Sequence, residues 1–282
     1  MRITPVLAAL ALLSGVLLTP GTADARTAPA PPGVRARSAL LVDDGTSEIL
    51  WGRRVRERRP IGSLAKLMTA VVVVHEGGLN RRLRVRPWHL AYAHARHGTV
   101  ARLRPGDRIR VRDLLHALLL PSGSDAAAVL AEAYGPGHHR FVRKMNRLAR
   151  AFGMTRTRYS DAAGLPPSPG HSTARDQVVL GRYALGLPEL RRIVRKPRHA
   201  LRAGDGHGRY VWLTTNTMLG DYPGLLGVKS GYTLAAGASF LFAARRHGRT
   251  LVGVVLNSSP TVRAARFRDA RKILNWGFHH TR

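Results

Sequence analysis

The sequence predicts an α+β domain, with strands near both ends of the chain and helices between them. Two observations carry this reading. Apolar runs of strand length fall at residues 37–51 and again between 198 and 256, whereas apolar stretches of helical length occupy 64–152. No internal repeat or second domain divides the interior, so one domain accounts for the folded length. A sheet assembled from both chain ends and packed against a helical cluster satisfies both.

Residues 37–43 (RSALLVD) and 48–51 (EILW) flank Asp44-Gly45-Thr46, which predicts a β-hairpin. Ser63 then opens a run over 64–75 that is apolar on nearly every face. Its length and its lack of a breaker favour a buried helix over a strand, despite the valines at 71–74. Short strands are expected at 83–86 and 108–110, around a variable segment. Helices follow at 111–120, 125–134 and 138–152, the first two separated by Pro121-Ser122-Gly123-Ser124. The Gly- and Pro-rich stretch 160–172 reads as a long loop ending at a helix cap, with Thr173-Ala-Arg-Asp176 opening the next helix. Strands are then expected at 200–203, 210–213, 226–230, 238–244 and 250–256, and a closing helix at 263–276.

Residues 1–25 read as a secretory signal, with Arg2, an apolar run over 6–18 and the A-x-A pattern Ala23-Asp24-Ala25. That run is too short for a stable membrane span. The protein is therefore expected to be exported, extracellular or on the envelope side of the plasma membrane. Residues 26–36, with APAPPG at 28–33, read as a stiff linker, and 37–282 as the folded domain.

With no cysteine, the chain has no disulfide, thiolate metal site or cysteine nucleophile. His75-Glu76 lacks the second histidine of H-E-x-x-H, and His89, His94 and His97 show no ligand geometry. His138-His139 reads as solvated. Neither a metal nor another cofactor is expected. The net charge of +30 creates a field that favours anionic polymers. No zinc-finger spacing, RNP motif or basic helix with interleaved aromatics accompanies it, which argues against nucleic acid. For an exported chain, an anionic cell-wall polymer is the expected counterpart.

Three short motifs fall in order along the chain: Ser63-Leu-Ala-Lys66, Ser122-Gly-Ser124 and Lys229-Ser230-Gly231. Together they supply the parts of a serine acyl-transfer site. On a helix opened by Ser63, Lys66 lies one turn along on the same face. Leu64, Leu67, Met68 and Val71 would desolvate its ammonium and lower its pKa, as a general base requires. Arginine is the default cation of this chain, and unlike lysine it cannot give up its proton. Ser63 at a helix start also turns its N–H toward a substrate carbonyl. The plain alternative is a capping serine and a lysine that snorkels to solvent. Ser122, in a turn, can hand a proton to a leaving amine; its alternative role is an N-cap for the helix at 125. Lys229 can hold a carboxylate and polarise Ser122, Ser230 can hydrogen-bond the same carboxylate, and Gly231 lets a ligand approach the backbone. A strand-to-turn junction is the alternative there. Each motif is common by chance, and their joint order carries the argument.

With these residues in view, the chain resembles the penicillin-binding D-alanyl-D-alanine carboxypeptidases, low-molecular-mass S-x-x-K serine peptidases related to class A β-lactamases. The resemblance covers about residues 37–280 and extends to Phe152-Gly-Met-Thr155, Asp161-Ala-Ala-Gly-Leu165, His171-Ser-Thr-Ala-Arg-Asp176, Asn216-Thr217 and Gly231-Tyr-Thr with Ala236-Gly237. It implies a β-lactamase/transpeptidase-like fold with an antiparallel sheet. It also implies that Ser63 attacks the terminal D-Ala-D-Ala bond of a peptidoglycan stem peptide, with Lys66 as base and Ser122 as proton relay. Lys229 and Ser230 would hold the terminal carboxylate with Arg266, preferred to Arg263. The N–H groups of Ser63 and Tyr232 would form the oxyanion hole, and β-lactams would acylate Ser63. Ser124 stands where the family usually has the asparagine that contacts the substrate backbone. K-S-G replaces the common K-T-G. Two alternatives are a β-lactamase, for which only Glu132 and Glu189 lie between the second and third motifs, and a non-catalytic peptidoglycan-binding envelope protein.

Overall fold

The computed structural model of the chain describes residues 30–167, 170–204 and 206–280. The expected signal segment at 1–25 lies outside them. The first part of the chain carries β1 (Ser38–Asp43), β2 (Ile49–Arg53), β3 (Arg59–Pro60), α1 (Ala65–Glu76), β4 (Arg82–Arg84), α2 (Pro87–Ala95) and β5 (Arg108–Arg110). Next come α3 (Val111–Leu119), α4 (Ser124–Tyr134), α5 (His138–Ala151), β6 (His171–Ser172), α6 (Ala174–Gly186) and α7 (Pro188–Val194). The last part holds β7 (Arg198–Leu201), β8 (Tyr210–Leu213), β9 (Leu225–Gly231), β10 (Ser239–Arg246), β11 (Arg249–Leu256) and α8 (Ala265–His280).

The main sheet is antiparallel, in the order β2-β1-β11-β10-β9. β1 and β11, from opposite ends of the chain, pair with Ser38 opposite Leu256 and Asp43 opposite Leu251. Side chains alternate between two covered faces. Leu40, Val42, Leu241 and Val254 face the helical layer, whereas Leu41, Phe240, Phe242 and Val255 pack under Phe267, Ile273 and Trp276 of α8. Burial on both faces is why these strands read as continuous apolar runs rather than alternating ones.

At the centre of the helical layer, α1 packs against α3, α4, α5 and α6 and is buried from Ala65 through Val73. A helix surrounded on all sides has no polar stripe, so its sequence is apolar all round.

The structure departs from the sequence expectations in four places. The segment between β4 and β5 contains α2, a short helix buried only at His89 and Ala93, whose small buried face left little periodicity to read. Residues 188–194 form α7, and the loop over 160–172 ends in β6, which pairs with β3 beside Ser63. The end of the expected linker is also packed. Val34 and Ala36 join the core beneath α8, and the Arg35 N–H donates to the Asp269 carboxylate at 3.1 and 3.2 Å. Ordered packing therefore begins before residue 37.

Candidate active site

Ser63 lies in a single 3-10 turn, Gly62–Leu64, that runs directly into α1. Neither the turn nor the helix has a side-chain cap, so Ser63 is not a capping serine. Lys66, one turn on, is fully buried and does not reach solvent. Its Nζ lies 2.9 Å from Ser63 Oγ and donates to the Ala163 carbonyl at 3.1 Å. Burial disfavours the ammonium and pulls its pKa from 10.5 down to about 8, while the charges of Asp161 and Asp125 act in the opposite direction. The result is an amine with an accessible neutral form, in contact with a hydroxyl.

The loop that holds Lys66 is shaped by Asp161. Its Oδ1 accepts the N–H groups of Ala163 (2.7 Å) and Leu165 (3.0 Å), and its Oδ2 accepts the Tyr92 hydroxyl at 2.6 Å. Gly164, at φ +75°, lies so close to the Ser63 turn that a Cβ there would stand 2.0 Å from the Gly62 carbonyl oxygen. His138, expected to be solvated, is half-buried instead, with Nε2 3.4 Å from Asp161 and its ring against Tyr92. Asp161 and Ala163 were visible in the sequence only as part of a stretch of resemblance. Their role stayed hidden because it runs through a carboxylate and a main-chain carbonyl, the latter 97 residues from Lys66.

Ser122 takes a left-handed backbone, φ +65°, which is strained for a residue with a side chain. It is not the N-cap of α4, because that position falls on Gly123. Its Oγ is buried and has no hydrogen-bond partner among the described residues. The turn is held by bonds from Gly123 N–H to the Ala117 carbonyl (3.0 Å) and from Ser124 N–H to the Thr99 carbonyl (2.7 Å). Thr215 ties it to the third motif, since its N–H donates to the Leu120 carbonyl at 3.0 Å and its Oγ1 lies 2.8 Å from Ser230 Oγ. No local sequence signal marks Thr215 for that task.

Ser124 is placed differently from expectation. Its side chain is fully buried beneath Gly98, where a Cβ would come within 2.7 Å of Ser124 Oγ. Gly98, not Ser124, forms the cavity wall. Asp125 points inward and accepts the N–H groups of Ala101 (2.8 Å) and Leu103 (3.1 Å).

In the third motif Lys229 is buried, with Nζ donating to the Ser230 carbonyl at 2.8 Å. Burial drives its pKa well below 10.5, and the positive charges of Lys66 and Arg266 push the same way. Arg266, from α8, is also buried and donates Nη1–H to the Gly231 carbonyl at 3.3 Å. Its own pKa is lowered to about 10 by burial and by Arg263. Arg263 itself stacks over the Tyr232 ring, 4.5 Å from its centroid. Neither Lys229 nor Arg266 has a carboxylate partner among the described residues, an arrangement that an anionic ligand group would relieve. Gly231 also has a packing reason: a Cβ would meet the Ile61 carbonyl at 3.0 Å and the Leu64 nitrogen at 3.1 Å. The missing side chain lets β9 abut the turn that carries Ser63.

A cavity of about 460 Å³ opens at Ser63 and runs along Gly98, Leu165, Tyr232 and Leu234. Lys66, which touches Ser63 Oγ, is buried behind that serine, and Ser122, Lys229 and Arg266 are buried as well. Glu132 bonds Trp88 and His89, and Glu189 bonds Arg192, so neither lines this cavity. The carboxylate that a class A β-lactamase would use in deacylation is therefore not supplied by either.

A serine in contact with a buried lysine amine, beside two further buried cations and at the start of a helix in the layer packed on an antiparallel sheet, is the arrangement of a serine hydrolase of the acyl-enzyme type. The D-alanyl-D-alanine carboxypeptidase family model, that of peptidase family S11, matches residues 25–260, and the chain belongs to this family. The D-alanyl-D-alanine carboxypeptidase of Streptomyces sp. strain K15 is 34% identical over 285 residues, covering 96% of this chain and 97% of that protein. The D-alanyl-D-alanine carboxypeptidase DacB2 of Mycobacterium tuberculosis is 34% identical over 261 residues, covering 90% of this chain and 86% of that protein. The crystal structure of the Streptomyces K15 DD-transpeptidase superposes with a TM-score of 0.82 at 33% identity, covering 88% of this chain and 98% of that one. Among the described residues, no helix is long and apolar enough to cross a membrane.

Proposed function

We propose that the protein is a serine-type D-alanyl-D-alanine carboxypeptidase that removes the terminal D-alanine from peptidoglycan stem peptides through an acyl-enzyme on Ser63. The observation that carries this reading is the fully buried Lys66 amine, 2.9 Å from Ser63 Oγ, with a pKa of about 8. Ser63 Oγ attacks the carbonyl carbon of the D-Ala-D-Ala bond as Lys66 takes its proton. Ser63 and Tyr232 both line the cavity, and their N–H groups receive the oxyanion. Ser122 relays a proton to the departing nitrogen, and D-alanine leaves. Water then hydrolyses the ester and restores the Ser63 hydroxyl. Lys229, Ser230 and Arg266 hold the terminal carboxylate, whose charge compensates the two buried cations. Ser124 and Gly231 support the second motif and the Ser63 turn by packing. A β-lactam follows the same path to an acyl-Ser63 ester in which the expelled nitrogen stays tethered.

The same reading places the protein outside the cytoplasm, with residues 1–25 as its export signal and an anionic wall polymer as the counterpart of its basic surface. Intact mass after incubation with a penicillin, beside a Ser63→Ala variant, tests it. One stable adduct on the wild type, absent from the variant, is expected. Rapid loss of the adduct with drug consumption would identify a β-lactamase instead, and no adduct would leave a binding protein.

A further inference from the structure

Away from this site, Asp113 and His116 of α3 and His199 of β7 bring three potential ligands together. One ligand atom from each lies within 4.8 Å of those of the other two. Asp113 and His116, three residues apart, share a face of their helix. The β7–β8 hairpin lays His199 on His116, with ring centroids 3.8 Å apart and planes 15° apart, and Trp212 stacks on His199 at 5.8 Å. Ring packing accounts for this stack but not for its polar atoms. His116 Nδ1 lies 2.9 Å from the Arg112 carbonyl, which can only accept, so this nitrogen carries the proton and Nε2 presents a lone pair. That Nε2 is buried with no hydrogen-bond partner among the described residues, on a side chain only 7% exposed. A backbone carbonyl that fixes one ring nitrogen and aims the other is the arrangement metal-binding histidines use. Beside it, His199 Nε2 lies 3.0 Å from Asp113 Oδ1.

We propose that Asp113, His116 and His199 form a binding site for a divalent first-row transition metal, zinc by preference. Two imidazoles and one carboxylate are a donor set that zinc accepts, with solvent as fourth ligand. Magnesium and calcium, which favour oxygen ligands throughout, are disfavoured. Because each nitrogen lone pair lies in its own ring plane, the ion requires the His199 ring to turn out of its stack on His116. The ion then takes the place of the proton between His199 Nε2 and Asp113 Oδ1, and that proton moves to His199 Nδ1. Arg110 and Lys196 lie near enough to act electrostatically on the cluster, so the affinity is lower than that of a closed structural zinc site. The ion would clamp α3, which leads into the Ser122 turn, to the hairpin that leads to Thr215. It would thereby reinforce the junction already made by the Thr215–Leu120 bond. The site takes no part in the acyl-transfer chemistry.

Equilibrium dialysis of the full chain against zinc, with thermal melting in parallel, tests the proposal. The expected result is a bound equivalent and a raised melting temperature for the wild type, with both lost in His116→Ala and His199→Ala while penicillin still acylates Ser63. Absence of bound zinc, or unchanged stoichiometry in both variants, would overturn it, the latter placing the ion elsewhere. Because alanine in a stacked core can disturb folding, the wild type is also titrated with cobalt(II). Intense visible bands of low-coordinate cobalt that disappear in Asp113→Asn are expected, and their absence from the wild type refutes the site.

Discussion

At the scale of single residues, the protonation state of Lys66 sets the chemistry, because only the neutral amine can accept the Ser63 proton. With its pKa lowered to about 8, acylation by penicillin should accelerate with pH up to about 8 and level off above it. The sign for stability follows from the same shift. Between about 8 and 10.5 the unfolded chain holds a proton that the native lysine has lost, so stability gains from rising pH in that window. Below it the burial penalty is present in full. Replacing Lys66 by Ala should slow acylation on the order of 10² to 10⁴-fold, read as adduct formation against time. Asp161→Asn keeps an oxygen for the Ala163 and Leu165 N–H groups but removes a charge that raises the lysine pKa. The acylation midpoint should therefore move to lower pH, a displacement that loss of loop structure alone would not produce. At position 124, restoring the asparagine usual in the family should not help this chain. The larger side chain would press on Gly98 and cost about 1–3 kcal/mol, visible as a lower unfolding midpoint.

At the scale of elements, the site depends on how closely β9 and the 161–165 loop approach the turn that leads into α1. Gly231→Ala tests the first approach. A methyl 3.0 Å from the Ile61 carbonyl and 3.1 Å from the Leu64 nitrogen faces backbone atoms that cannot rotate aside, so β9 or the Ser63 turn must shift. Acylation should fall by about tenfold to a hundredfold while the far-ultraviolet spectrum stays native. Elements with large buried faces were legible in the sequence: α1, the paired helices α3 and α4, and the strands of the main sheet. α2 was not, because a helix that buries only His89 and Ala93 leaves almost no apolar period. Val34 and Ala36 were concealed for a related reason. Small apolar residues beside a proline-rich stretch do not announce that α8 will cover them.

At the scale of the whole molecule, charge and topology act separately. The net charge of +30 says nothing about the fold but sets a long-range field. α5 gives it local form, burying Phe141, Met145 and Ala149 while Arg140, Arg143, Arg147 and Arg150 stay exposed. If this surface docks to anionic wall polymer, sedimentation with isolated walls should drop steeply as salt shortens the screening length. Binding that is flat with ionic strength would refute docking. Topology brings the two ends of the chain together, so that α8 delivers Arg266 to a strand ending at Gly231. By itself, the sequence determined the α+β class, the sheet drawn from both ends, and the residue types of the three motifs in their order. These are local in origin, set by apolar periodicity and by the functional groups the chemistry requires. Only the tertiary structure decided that Asp161 and Ala163 hold Lys66, that Thr215 joins the second and third motifs, that Ser124 lies beneath Gly98, and that Asp113, His116 and His199 converge. Each of those depends on backbone groups or packing distances between residues far apart in the chain, and no local pattern of side chains encodes them.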